Sequence, residues 1–80
     1  MQIQLLKGNY SRKDAGEIIE QMIKVKIHFH ERKIEICANE EDIKMREQRI
    51  KELYKDLADF KSYLQNQPKQ NIDLSAMIEI

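Results

Sequence analysis

Eighty residues make one domain, at a length where a single core is only marginally sufficient. Fourteen basic and fourteen acidic residues cancel, which speaks against a dedicated polyanion binder, because counterion release needs clustered excess positive charge. Cys37 is the only cysteine, so an intrachain disulfide and a multi-cysteine metal site are excluded and a reducing, cytoplasmic setting is expected.

Met1 to Lys7 alternates through Ile3 and Leu5 and reads as a short strand, ended by a turn at Gly8-Asn9. Ser11 has the side chain of a helix N-cap, and Asp14 stands where it can reach back to the cap nitrogen.

From Ala15 to Ile36 two readings compete. Ile23-Lys-Val-Lys-Ile-His-Phe29 alternates like a strand. At 100° per residue, however, Ala15, Ile18, Ile19, Met22, Ile23, Val25, Ile27, Phe29, Ile34, Ile36 and Cys37 fall in one arc of about 200°. No Gly, Pro, Asn or Asp lies between Gly16 and Asn39, so nothing marks a hairpin turn. β-branched residues cost a few tenths of a kcal/mol each in helix propensity. Burial of such side chains returns about 1.5–3 kcal/mol each. One continuous helix is the expectation.

Ala38-Asn39 breaks it, and Asn39 can cap a second helix whose first turn carries Glu40, Glu41 and Asp42. Ile43, Ile50, Leu53, Leu57, Phe60 and Leu64 keep a 3-4 spacing, with Arg46 in one seam position. Pro68 forbids continuation. Ile72 to Ile80 alternates cleanly, a strand with one buried face.

The fold expected is α+β in the order β-α-α-β, a long antiparallel helical hairpin packed with a small antiparallel sheet made by the N- and C-terminal strands. The alternative is a ferredoxin-like βαββαβ arrangement, in which Ile23–Phe29 and Lys33–Cys37 are strands. Its open sheet face would carry Lys24, Lys26, His28 and His30.

Candidate chemistry is sparse. His28 and His30 point about 200° apart on a helix, and His30-Glu31 lacks the second histidine of a zinc helix. No metal and no other cofactor is expected. Cys37 has no nucleophile–base arrangement around it, and no glycine-rich phosphate loop exists, so no enzymatic activity is expected. No apolar run approaches the ~20 residues of a membrane span. Basic residues near the hairpin tip are interleaved with acidic ones, the pattern of a salt-bridged surface rather than a nucleic-acid site.

What remains is association. A two-stranded sheet is marginal in water, and the first helix has more apolar arc than one partner covers. The chain is therefore read as a non-enzymatic protein–protein interaction or assembly module, a homodimer open to other protein partners. The rival reading is a small nucleic-acid-associated or regulatory protein. The residues expected to carry the interface are Ile3, Leu5, Val25, Ile27, Phe29, Ile34, Leu74 and Ile78.

Overall fold

Two side-chain caps set where the helices begin. Ser11 Oγ accepts the Asp14 N–H at 3.1 Å, and Asn39 Oδ1 accepts the N–H groups of Glu41 and Asp42 at 2.9 and 3.2 Å. In the computed structural model, which describes residues 1–80, these caps start α1 (Arg12–Ile36) and α2 (Glu40–Asn66). The chain opens with β1 (Gln2–Ser11) and returns through β2 (Asn71–Glu79), antiparallel to it. At Ser11 only half of the expected capping box forms, since Asp14 does not bond back to the cap nitrogen. Asn39 has the stronger cap, two backbone donors on one oxygen. Asn39→Ala should cost about 1–2 kcal/mol, read as a lowered urea midpoint with unchanged slope.

Helix α1 runs unbroken for 25 residues, and the ferredoxin-like alternative is excluded. Of its β-branched residues Ile27 is buried and Ile18, Ile19, Ile23 and Ile34 are half-buried, and that burial outweighs propensity. Helix α2 turns back beside it, each helix roughly 37–40 Å long. Ile27 on α1, with Leu53 and Leu57 on α2, is buried, as are Ala15 at the base and Ile72 on β2. Ile43, Arg46, Ile50, Phe60 and Leu64 are half-buried along the expected seam. Close to Gly16 the helices pinch together, for a Cβ there would sit 3.3 Å from Leu64 Cδ1.

The expected turn at Gly8-Asn9 does not form. Strand β1 continues to Ser11, and Gly8, Asn9 and Tyr10 pair with Leu74, Asp73 and Ile72. Gly8 has no positive φ. It serves instead as a seat for Tyr10, two residues on along the same face, whose ring would stand 3.4 Å from a Cβ at Gly8.

The ladder is interrupted between Gln4 and Leu6, where Leu5 is an extra residue on β1, a β-bulge. Gln4 Nε2 closes the gap by donating to the carbonyls of Leu6 and Ala76 at 2.9 and 3.2 Å. Opposed residues share a face, so Leu6, Gly8 and Tyr10 lie with Ala76, Leu74 and Ile72. Beyond the bulge, Ile3 joins them opposite Ile78. The other face is mainly polar, with Asn9 Nδ2 donating to Asp73 Oδ1 at 2.8 Å.

The sheet approaches α1 and not α2, so α1 is the middle element, as its wide arc requires. The molecule is a slab 46 × 33 × 14 Å with a radius of gyration of 15.2 Å, against about 12 Å for a compact chain of this length.

Candidate interaction surface

Helix α1 presents one continuous apolar flank, and its two halves differ in exposure. At the base, near the sheet, Ala15 is buried and Ile18 and Met22 are half-buried. Toward the tip the same flank continues as Val25, Phe29 and Ile36, which are 68%, 45% and 78% exposed. Ribbon and hairpin diverge along this line. Between them lies an open groove of about 510 Å³ lined by Leu5, Ile19, Met22, Ile23, Val25 and Leu53, with Lys26, Arg49 and Asp56.

The residues expected at an interface therefore separate into groups. Ile3, Leu5 and Ile78 are exposed on the far half of the ribbon, and Leu74 is half-buried nearer its root. Val25 and Phe29 are exposed on the hairpin. Ile34 is half-buried. Ile27, 1% exposed, faces the hairpin interior and contributes nothing to an outer surface. Beyond those eight, Met1, Ile36, Met45, Tyr54, Tyr63, Met77 and Ile80 are also exposed, Met77 on the polar sheet face. Tyr54 lies outside the α2 seam, which closes on Leu53 and Leu57.

Surface area gives these patches their weight. The chain exposes 6391 Å², whereas a compact monomer of 9.6 kDa exposes about 5,100 Å². The surplus of about 1,300 Å² exceeds the ~800 Å² per partner of an ordinary protein interface.

The polar groups are organised for structure. Arg46 Nη1 donates to His30 Nδ1 at 3.0 Å, and its guanidinium stands 5.9 Å from the Phe29 ring centroid. Lys33 lies 5.6 Å from the same centroid. A seam arginine thus sets its guanidinium between an aromatic ring and an imidazole nitrogen. Glu20 meets Lys61 at 3.0 Å and Lys24 at 3.5 Å, and the Lys61 hydrogen bond, then the Lys24 charge, hold its carboxyl below the usual range.

Burial, and then the charges of Arg46, Lys26 and Arg49, hold His30 below its ordinary value of 6.5. As pH falls through about 6.5, the unfolded chain takes up a proton that the folded chain refuses. Stability should be level above that point and decline below it, until the folded imidazole titrates in its turn. Glu20 acts only lower, its contribution being lost as pH falls below 4.5. Urea midpoints from about pH 8 to about pH 5 check this, and His30→Asn should flatten the decline below neutrality.

No group of three His, Cys, Asp or Glu side chains converges on a common point. His28 is exposed, while His30 turns into the helix pair toward Arg46. Cys37, half-buried at the end of α1, has the Asn39 carbonyl at 3.8 Å and the Asp42 carboxylate at 4.0 Å. No imidazole is among its contacts. No helix is long and apolar enough to cross a membrane.

Compared with protein-family models, curated proteins and solved structures, the chain matches none.

Proposed function

We propose that this chain is a non-enzymatic assembly module that works as a homodimer and offers its remaining apolar surface to other proteins. The observation that carries the reading is the surplus of exposed area, with apolar side chains left bare on the ribbon and on the tip half of α1. An 80-residue chain with five buried residues has little core of its own, and partners are the usual remedy at this size. Basic residues on both helices are interleaved with carboxylates, Lys24 and Lys61 on Glu20 and Arg49 on Glu52, which favours the protein-binding reading over a nucleic-acid one. The single thiol, Cys37, is unpaired, which suits a reducing, cytoplasmic setting. Sedimentation equilibrium tests the reading. The expected result is a species of twice the 9.6 kDa chain mass at micromolar concentration. A monomer at every concentration up to about 1 mM, where association would be worth only about 4 kcal/mol, overturns it.

A further inference from the structure

The free edge of β2 decides how two chains meet. Hydrogen bonds closing both ends of the ladder, Arg12 N–H to Gln70 O at 2.9 Å and Ile80 N–H to Met1 O at 2.8 Å, fix its phase. Even-numbered residues of β2 bond to β1. Asn71, Asp73, Ser75, Met77 and Glu79 therefore turn their N–H and C=O groups the other way, and all five are exposed. A sheet edge is ordinarily guarded by a bulge, a lysine, a proline or a very short strand. Strand β1 has the bulge at Leu5, Lys7, and the Gln4 side chain folded over its irregular stretch. Strand β2 has no bulge, lysine or proline over nine residues, and of its two charges Asp73 is held by Asn9 and Glu79 is the last residue.

We propose that a second copy of the chain docks on this edge, antiparallel, with the two-fold axis at Ser75. This rests on the assembly reading above and specifies its surface. The order becomes β1-β2-β2-β1 across the pair, a four-stranded sheet in place of a marginal two-stranded one. Charge selects the register. With Ser75 on the axis, Asp73 meets the partner's Met77 and Glu79 meets the partner's Asn71. A shift that places Ala76 on the axis would set Asp73 against the partner's Glu79, like charges directly opposed. A shift to Leu74 carries Glu79 past the end of the partner's strand, opposite its Lys69, and is disfavoured because it shortens the ladder.

The Ser75 register also gives the exposed Ile78 apolar cover. An axis normal to the sheet keeps both hairpins on one face. Ile78, 41% exposed, then comes beside the partner's Ile72, the residue that each hairpin already buries. The bare end of each ribbon thus lies against the covered root of the other. About ten inter-chain backbone hydrogen bonds form, two at each of the five opposed pairs from Asn71 to Glu79.

The test is a nitroxide label at Ser75→Cys in a Cys37→Ser background, with a second sample labelled at Val25→Cys. Opposed Cα atoms at the axis lie about 5.5 Å apart, so the Ser75 sample should show strong dipolar broadening and the Val25 sample should show much less. Ser75→Pro removes only an outward N–H, which an edge strand tolerates. It should leave the circular dichroism unchanged and raise the dimer dissociation constant about thirtyfold, the loss of two ordinary hydrogen bonds. A dimer whose Ser75 labels show no broadening overturns this edge pairing while leaving the assembly reading standing. A chain that sediments as a monomer overturns both.

Discussion

Truncating Ile27 to alanine should cost about 2–5 kcal/mol, the range for a buried isoleucine that leaves a cavity behind it. For a domain of this size the whole stability is about 4–12 kcal/mol, so the variant should be partly unfolded at 37 °C. The size of the effect follows from position. Ile27 is the one large side chain fully enclosed in the chain, held at the middle of the hairpin where Leu53 and Leu57 of α2 are also buried, with no surplus core to share the loss. Val25→Ala, two residues earlier on the same helix and 68% exposed, should change stability by no more than about 0.5 kcal/mol. Urea titrations of the two variants check the contrast, and equal effects would mean that the hairpin core lies elsewhere.

Leu74→Pro should be the most damaging single change in the ribbon, combining an unpaired ladder carbonyl at about 1–3 kcal/mol with lost leucine burial of about 1–2 kcal/mol. Leu74 lies opposite Gly8 in a phase where its N–H bonds to β1, and its side chain is half-buried on the face turned to α1. Proline there removes the bond and the burial together. The expected spectroscopic result is loss of β signal with most of the helical signal retained, because α1 and α2 pack on one another without the sheet. A proline one residue later, at Ser75, should leave the fold intact, for the ladder alternates. Should both variants unfold the chain alike, the assigned phase is wrong.

Most of the architecture was legible in the sequence for a physical reason: caps and periodicity act locally. Ser11, Asn39 and Pro68 stand within a turn or two of the helix ends that they mark. The six apolar positions of α2 could point only one way. Helix α1 was harder, since an arc of about 200° admits several packings. Its width announced two neighbours without saying how far along the helix each would extend. That depends on the angle at which the ribbon leaves Ser11, which no local spacing encodes. Val25 and Ile27 therefore looked equivalent as interface residues, yet one is exposed and the other enclosed.

Strand β1 was misread for a related reason. Ile3 and Leu5 alternate correctly up to Leu5-Leu6, where two adjacent leucines break the pattern. Gly8-Asn9 then looked like a natural stop. Long-range pairing with β2 overrode that local signal, and the adjacent leucines mark the bulge instead. A reading that treated Leu5-Leu6 as a change of phase rather than an end would have placed Leu6, Gly8 and Tyr10 on the apolar face.

The bulge also bears on how many copies can associate. A ribbon open along both borders would recruit neighbours indefinitely and grow into a filament. Here the irregular backbone at Leu5 spoils one border as a template, so in the proposed pairing, joining through the other border would exhaust the means of growth and stop the assembly at two. Deleting Leu5 would restore a regular ladder without changing any existing pair. On the proposed pairing, the shortened chain should then form open-ended polymers that bind thioflavin T, and the parent should not.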